Sequence, residues 1–344
     1  MPKAKRENLR KKVTLRDVAA VAEVSLSTAS KAMNGRTGEV NAATSQRVLE
    51  AADRLGFTPN ALAQAILSGH SGTVGLLTDD LEGRFSLPIL MGAEDAFGAG
   101  KMSVLLCDAR GDAIREQHHL KALVSRNVDG LIVVGSRPDH RASISDQVTV
   151  PVVYAYAPSA DSEDLSVVAD NYRAGAVVTE HLRTLGRQRI AHITGDPTYT
   201  AAQDRARGIS DELAKEGLEL VCPPRFGSWS EAWGRVATKS LLKSGIEVDA
   251  IIGGSDQISR GIADTVQESG LRVPGDVAIA SFDNWKAIAE GGQTPLTSID
   301  LGFKAIGTLA GKLLSAAIKG DTPEEHLHLV EPHLVVRAST IGPH

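Results

Sequence analysis

The stretch VTLRDVAAVAEVSLSTASKAMNG, residues 13–35, decides how the N-terminal part of the chain folds. Thr14 is followed three residues later by Asp17, the capping-box pattern that satisfies the free backbone donors at a helix start. The helix that begins there carries one apolar stripe at i, i+3, i+4 and i+7, formed by Leu15, Val18, Ala19 and Ala22. Residues 23–25 then leave room only for a tight turn.

Two further helices are predicted downstream. The second is capped by Ser25 and ends at Asn34-Gly35, and the third begins after Asn41 and ends at Gly56. The residues expected to close a small core are Ala29, Ala32, Met33, Val48, Leu49, Ala52 and Leu55. Two short helices joined by a tight turn and backed by a third match a helix-turn-helix, whose second helix enters the major groove of DNA. A generic three-helix bundle with a solvated face is the alternative.

The distribution of charge favours a nucleic-acid partner for this end of the chain. Residues 1–70 contain 11 Lys and Arg against 6 Asp and Glu, whereas the remainder contains 26 against 36. A basic module therefore precedes an acidic body, which is typical of nucleic-acid binding. Residues 1–12 are predicted to form a disordered basic arm.

Other features of the sequence exclude several classes of protein. No apolar run approaches the roughly 20 residues that span a bilayer, and residues 1–12 do not form a signal peptide, so we expect a cytoplasmic protein without membrane contact. Cys107 and Cys222 have no disulfide, redox or zinc spacing and are expected to be buried thiols. Glycine-rich nucleotide motifs are missing, and the spacing of His326, His328 and His333 matches no standard metal site. We therefore predict no enzyme activity, no metal and no cofactor.

From Thr73 onward, short apolar runs alternate with amphipathic helical stretches, which predicts an α/β fold with buried parallel strands. The predicted strands form two series, residues 74–78, 104–107, 130–135 and 152–156, then 190–194, 250–253 and 277–281. Helical segments such as 174–185 and 205–216 lie between them. Two sheets indicate two lobes. Because ligands bind at the carboxyl ends of parallel strands, a small molecule is expected in the cleft between the lobes.

The N-terminal residues resemble the signature of the lac repressor family almost position for position. The matching segments are 13–19 (VTLRDVA), 24–25 (VS), 27–31 (STASK) and 34–35 (NG). The resemblance implies that three side chains face base edges, namely Leu26, Ser27 and Lys31. It also implies that five side chains hold phosphates, namely Thr14, Ser25, Thr28, Ser30 and Asn34.

This chain departs from the family pattern at two positions. Glu23 stands where members usually have Gly, so the turn is expected to be slightly strained. Lys31 stands where members usually have Arg, so the bidentate hydrogen bonding of a guanidinium to guanine is lost. Lys can still reach a guanine acceptor.

Residues 59–70 resemble the hinge helix of the family, with Asn60 as its cap and with Leu62 and Ile66 on one face at i and i+4. Isolated helices shorter than about 12 residues are marginal in water, so this segment is expected to order only when two copies pack together over DNA. By the resemblance, Ile66 wedges into a central minor-groove step and kinks the duplex. A linker with two buried aliphatic side chains is the alternative.

The resemblance continues across nearly the whole chain, which is similar to the family's periplasmic-binding-protein-like effector domain. It implies that Arg205 turns toward ligand hydroxyls or a carboxylate and that Asp283 accepts from ligand hydroxyls. Trp229 stands where sugar-binding relatives place an aromatic ring against the sugar, which favours a carbohydrate over a purine; core packing is the alternative. The other cleft-facing positions by the same alignment are Asp80, Phe85, Tyr156, Ser255 and Asp256. Ser255 replaces a common Asn, and Tyr156 stands where sugar binders often have Asp.

The predicted fold class is therefore α/β, with an N-terminal all-α helix-turn-helix domain and hinge helix followed by a two-lobed domain with parallel sheets. The expected boundaries are 1–12 for the arm, 13–58 for the helix-turn-helix, 59–70 for the hinge and 71–344 for the effector-binding and dimerisation domain. Its lobes are joined by crossings near 170, 296 and 330.

The function predicted from the sequence is a homodimeric transcriptional repressor that binds a near-palindromic double-stranded DNA operator under the control of a small-molecule effector, a sugar. A purine-like corepressor is the alternative ligand. A solute-binding protein is the alternative class, which the helix-turn-helix pattern and the missing export signal disfavour.

Overall fold

A computed structural model describes residues 13–33, 39–58, 65, 69–98 and 102–341. The chain separates into two compact units, Met1–Ser71 and Gly72–His344. Three predicted DNA-contacting residues, Asn34, Asn60 and Ile66, lie outside the described residues, as do the arm and most of the predicted hinge helix.

The first unit contains the three predicted helices, α1 (Leu15–Val21), α2 (Leu26–Met33) and α3 (Ala42–Leu55). At the start of α1, the Asp17 carboxylate accepts hydrogen bonds from the backbone N–H of Thr14 at 2.8 Å and from its hydroxyl at 2.7 Å. Asn41 caps α3 by accepting from the Thr44 N–H at 2.8 Å. Gly56 ends α3 in the left-handed conformation, with φ of 63°. Side-chain caps and a C-terminal glycine therefore fix the limits of these short helices.

The core of the first unit is small. Its buried members are Val18, Ala19, Ala22, Ala29, Ala32, Val48, Ala51 and Ala52. The prediction that Leu49 belongs to this core is wrong, because its side chain is 46% exposed and Ala51 takes the inward position. On α3 the inward face runs through residues 48, 51, 52 and 55, which is the i, i+3, i+4, i+7 spacing of one helix face.

The first lobe of the second unit is built on a six-stranded parallel sheet. Its strands are β1 (Thr73–Thr78), β2 (Ser103–Asp108), β3 (Gly130–Val134), β4 (Val152–Ala155), β5 (Leu165–Ala169) and β11 (Leu327–Val330), in the order β11-β5-β4-β3-β1-β2. Its helices are α4 (Ser86–Phe97), α5 (Ala113–Ser125) and α11 (Phe303–Ile318), and a 3-10 turn covers Ser145–Gln147. Every residue of β3 and β4 is buried, so the continuous apolar runs that predicted them belong to strands covered on both faces.

The second lobe repeats this architecture. Its strands are β6 (Ile190–Thr194), β7 (Arg225–Phe226), β8 (Ala250–Gly253), β9 (Ala278–Phe282), β10 (Thr297–Asp300) and β12 (His333–Val335), in the order β12-β10-β9-β8-β6-β7. Among these strands, β12 runs antiparallel to its neighbour β10, and the other pairs are parallel. The helices are α6 (Asn171–Thr184), α7 (Thr200–Ala214), α8 (Glu231–Lys243), α9 (Asp256–Glu268), α10 (Lys286–Ala289) and α12 (Ala338–Ile341).

Within the described residues, the chain passes between the two lobes three times, between β5 and α6 at Asp170, between β10 and α11 at 301–302, and between β11 and β12 at 331–332. The second crossing lies after the predicted position near 296, because Thr297–Asp300 still forms a strand of the second lobe. Cys107 and Cys222 are half-buried rather than fully buried as expected; Cys107 lies on β2, at the edge of its sheet.

The turn between α1 and α2 carries the strain expected from its sequence. Glu23 has φ of 54°, in the left-handed region where a Cβ atom crowds the following carbonyl. Glycine adopts this conformation without the clash. The first unit therefore folds with an unfavourable backbone conformation at the turn that orients α2.

Replacing Glu23 with Gly is expected to stabilise the first unit by about 0.5–1 kcal/mol, because the relief of strain exceeds the extra entropy of glycine in the unfolded chain. Hydrogen–deuterium exchange of the full chain, followed in peptides from α1 to α3, measures the change. Glu23→Ala is the matched control, since it removes the carboxylate but keeps the Cβ atom. Equal protection in both variants would show that backbone strain is not the cause.

Candidate functional site

The N-terminal turn of α2 presents the residues expected to contact DNA. The Ser25 hydroxyl accepts from the Thr28 N–H at 3.1 Å and lies 2.8 Å from the Thr28 hydroxyl, so Ser25 caps the helix as predicted. Leu26 is 44% exposed, and Ser27 is exposed beside it. Ser30 lies one turn further along the helix and is half-buried. The first turn of α2 is therefore open to a partner.

Lys31 lies at the end of α2, where its ammonium is 2.8 Å from the Glu39 carboxylate. Both side chains are exposed, and an exposed ion pair of this kind contributes about 0–1 kcal/mol. A phosphate or a guanine acceptor can therefore replace Glu39 at little cost.

In the second unit, the Asp283 carboxylate joins the two lobes. Asp283 follows β9 in the second lobe, and its Oδ2 accepts from Arg84 Nη2 of the first lobe at 2.6 Å. Its Oδ1 lies 3.5 Å from Nη2 of Arg205, on α7. The Asp283 residue is only 7% exposed, so these guanidinium groups supply the pairing that a buried carboxylate requires.

Arg205 is held in one orientation by three partners. Its Nε donates to Asn171 Oδ1 at 2.9 Å, and its Nη1 donates to the Gly254 carbonyl at 2.6 Å, in addition to the Asp283 contact. The close crossing of α6 and α7 sets the position of the Arg205 backbone, because a Cβ atom on Gly175 would collide with the Arg205 carbonyl oxygen. The absence of a side chain at Gly175 thus lets the arginine reach the cleft.

Aromatic rings form one wall beside these charges. The ring centroids of Phe85, Tyr156 and Phe303 lie 4.4–5.6 Å apart. Burial raises the pKa of Tyr156, so its phenol stays neutral at physiological pH. Tyr156, Asp283 and Asn284 all have positive φ values, of 72°, 96° and 46°. Three such residues at one cleft are typical of a functional site.

Trp229 lies in the loop before α8, near Tyr199 and Arg205. Its ring centroid is 5.6 Å from that of Tyr199 and 6.0 Å from Cζ of Arg205. Within the described part of the chain, its buried indole Nε1 has no hydrogen-bond partner. A buried donor of this kind calls for an acceptor from a bound molecule or water.

The structure places three of the predicted residues in supporting roles. Asp256 is fully buried and accepts from the Ser298 hydroxyl at 2.7 Å and from the Trp285 N–H at 2.6 Å. Ser255 is also buried and caps α9 by accepting from the Ile258 N–H at 3.3 Å. Asp80 accepts from the Gly83 N–H at 2.8 Å and so orders its own loop. Their direct contact with an effector stays a prediction.

Two further contacts join the lobes near this cluster. Asp139, which follows β3, accepts from the N–H and hydroxyl of Thr200 at the start of α7, at 2.9 and 2.8 Å. Cζ of Arg137 lies 5.3 Å from the Tyr199 ring centroid. Together with the Arg84 contact to Asp283, these interactions hold the lobes in one relative orientation.

Three residues of the cleft were not predicted from the sequence, namely Arg84, Trp285 and Phe303. Arg84 immediately precedes the predicted Phe85, in the loop at the carboxyl end of β1, and that position was the available signal. Trp285 lies two residues after Asp283, while Phe303 begins a helix after a crossing, where no local pattern indicates a cleft.

Among the described residues, no helix combines the length and apolar content needed to cross a bilayer. The same residues contain no group of three or more His, Cys, Asp or Glu side chains arranged to hold a metal ion.

A helix-turn-helix unit joined to a two-lobed unit with a charged, aromatic cleft defines the class of ligand-responsive DNA-binding regulators. Comparisons with known proteins agree. Residues 14–60 match the model of bacterial regulatory proteins of the lacI family, and residues 179–340 match the periplasmic binding protein-like domain.

Similar proteins align over nearly the full length. CelR, a helix-turn-helix transcriptional regulator of Thermobifida fusca, is 30% identical over 96% of this chain and 99% of its own. The ribose operon repressor of Halalkalibacterium halodurans is 29% identical over 96% and 97%. The chain therefore belongs to the lacI family of bacterial transcriptional regulators.

Solved structures show the same architecture. The lac repressor dimer bound to operator and the anti-inducer ONPF superposes with a TM-score of 0.73 at 26% identity, covering 96% of this chain and 100% of that one. The complex of the regulator CelR with cellobiose gives a TM-score of 0.65 at 28% identity, covering 95% and 100%. The predicted α/β fold with an N-terminal helix-turn-helix and a two-lobed domain is confirmed.

The ionisation of Asp256 should make stability depend on pH. Burial, reinforced by the nearby Asp283 charge, raises the pKa of Asp256 from its ordinary 3.8 to about 6. Since the folded pKa is higher than the unfolded one, ionisation destabilises the fold, and the loss develops as the pH rises from about 3.8 and is complete above about pH 6.

Relative to Asp256→Asn, the wild-type chain should therefore lose about 1 kcal/mol of unfolding free energy between roughly pH 5 and pH 7.5. Denaturant unfolding of both proteins at each pH measures the difference, and the amide variant corrects for every other titrating group. A difference that does not change with pH would contradict the raised pKa.

Proposed function

We propose that this regulator is a homodimeric repressor whose operator affinity is controlled by a sugar bound between the lobes of its second unit. The observation that carries the proposal is the Arg205–Asp283 pair, which lies in the cleft beside Trp229 with its unpartnered indole N–H. Sugars present hydroxyls to charged groups and an apolar ring face to aromatic side chains, so this combination fits a carbohydrate. The relatives named for ribose and bound to cellobiose support the same class of ligand.

Control of DNA binding follows from the position of the ligand. A sugar that contacts Arg205 and Asp283 on one side and Phe85 on the other touches both lobes. It therefore binds one lobe arrangement more tightly than another and shifts the population toward it. In this mechanism, the lobe arrangement of each subunit decides whether the two hinge segments, residues 59–70, can pair over the minor groove.

Dimerisation is proposed to use an apolar surface of the first lobe. Leu87 and Met91 on α4 are 53% and 52% exposed, and Ile114 on α5 is 69% exposed. Leu106 is 38% exposed on β2, the open edge of the sheet. Exposed apolar groups are typical of a protein interface, and a second copy gives the two-fold symmetry that a near-palindromic operator requires.

The first experiment selects bound duplexes from randomised DNA with the purified protein at a stated salt concentration. We expect enrichment of a near-palindrome. The operator found in this way is then titrated in the presence of a panel of sugars, sugar acids, sugar phosphates and purines, because an effector must move its affinity. The proposal would be contradicted if the folded dimer enriched no sequence, either alone or with metabolite extract.

Arg205→Gln is expected to lower effector affinity by about tenfold or more, because a buried charge-assisted hydrogen bond is lost. Operator binding without effector should stay near the wild-type value. Arg207→Gln is the control, since Arg207 lies on the same helix but its side chain is 63% exposed and pairs with Asp204. Calorimetric titration measures the affinity, and equal losses in both variants would argue against the cleft.

Ile66→Gly tests the hinge. If Ile66 wedges into the minor groove, this variant should lose specific operator binding while the effector affinity stays nearly unchanged. Gel-shift titration against operator and scrambled duplexes separates specific from non-specific binding. Unchanged operator affinity would show that the wedge proposal is wrong.

A further inference from the structure

Arg84 is fixed in the cleft by aromatic rings. Its Cζ lies 4.7 Å from the ring centroid of Phe85 and 5.1 Å from that of Trp285, and its Nη2 donates to Asp283. Stacking on aromatic faces suits the planar, weakly hydrated guanidinium. Phe85 belongs to the first lobe and Trp285 to the second, so the orientation of Arg84 is set by both lobes.

One end of this guanidinium lacks a protein acceptor. Arg84 Nη1 is buried, yet it has no hydrogen-bond partner among the residues that the structure describes. The side chain as a whole is 20% exposed, so it borders the cleft rather than the core. An unsatisfied charged donor is costly, and a bound molecule with an acceptor at this point would remove that cost.

Among the described residues, the Nη1 end of Arg84 has no anionic partner of its own. Two guanidinium groups, those of Arg84 and Arg205, converge on the single carboxylate of Asp283. The other nearby carboxylates are engaged elsewhere: Asp256 with Ser298 and Trp285, Asp80 with Gly83, and Asp139 with Thr200 and Arg137. A neutral hydroxyl would only accept from the free donor, whereas an anionic oxygen would accept from it and also pair with the guanidinium charge.

We propose that Arg84 is a specificity-determining residue and that the effector is an anionic sugar, whose carboxylate or phosphate binds the Nη1 side of this guanidinium. The inference rests on the proposed function and narrows its ligand class. Arginine favours such groups because its planar fork matches the geometry of their oxygens. The sugar ring then lies toward Trp229 and Arg205, and its charged group lies toward Arg84, Phe85 and Trp285.

The test uses thermal unfolding of the full chain at constant ionic strength with matched sugars: D-glucose, D-gluconate, D-glucuronate and D-glucose 6-phosphate, and the corresponding galactose and ribose compounds. Inorganic phosphate and acetate, compared with chloride, probe the anion site independently of the sugar. The proteins are wild type, Arg84→Gln, Arg84→Lys and the exterior control Arg207→Gln.

We expect at least one anionic compound to raise the unfolding temperature of wild type and Arg207→Gln more than its neutral counterpart does. Arg84→Gln should lower that affinity by about tenfold or more, with Arg84→Lys in between because it keeps the charge but not the fork. A preference for gluconate, glucuronate or acetate assigns a carboxylate, and a preference for the phosphate ester or inorganic phosphate assigns a phosphate.

Three results would overturn the proposal: a neutral sugar that binds as tightly as its acid and phosphate, equal or tighter anion binding in Arg84→Gln, or no stabilisation of wild type by any anion. The operator selection separates this failure from that of the proposed function. If a palindrome is enriched and a neutral sugar releases it, only the anionic specificity is wrong. If anions bind through Arg84 but no DNA sequence is enriched, the site stands and the regulatory function does not.

Discussion

A carboxylate buried between two lobes cannot remain unpaired, and this constraint on Asp283 organises the second unit. Its partners come from opposite sides of the cleft, Arg84 from the first lobe and Arg205 from the second. The Arg205 contact forms within the second lobe, whereas the Arg84 contact forms only when the two lobes come together. Because removing either partner would leave a charge in a poorly solvated place, the arrangement is sensitive to anything that competes for one of these three groups.

The backbone that carries Asp283 is built to hold it at this position. Asp283 and Asn284 adopt positive φ, and Asn284 is fixed by the Ser298 hydroxyl at 3.0 Å, by Asp300 at 3.0 Å and by Arg337 at 2.7 Å. Two unfavourable conformations in succession persist only where the surroundings impose them. The second lobe therefore stabilises a strained turn through β10 and the segment before α12, and the carboxylate is presented in one orientation.

The sequence predicted those elements that have a strong local pattern. Continuous apolar runs such as 130–135 and 190–194 gave buried strands, and Thr14, Asn41 and Gly56 gave the helix ends of the first unit. Short or partly exposed strands, such as Leu327–Val330, were missed because their place in the sheet depends on pairing with distant strands. Dependence on distant residues also explains why Arg84 was not predicted. The loop after β1 marks residue 84 as a candidate, but its role depends on Asp283 and Trp285, about two hundred positions away.

The spatial arrangement of the cleft also limits how a ligand can act. A molecule bound to one lobe alone would stabilise every lobe arrangement equally and would shift no equilibrium, however tightly it bound. Arg84 from one lobe and Arg205 from the other contact the same Asp283 carboxylate, so a ligand bound there as proposed would contact both lobes. Its binding free energy then depends on the separation of the lobes, and this dependence is the physical requirement for transmitting occupancy of the cleft to the DNA-binding unit.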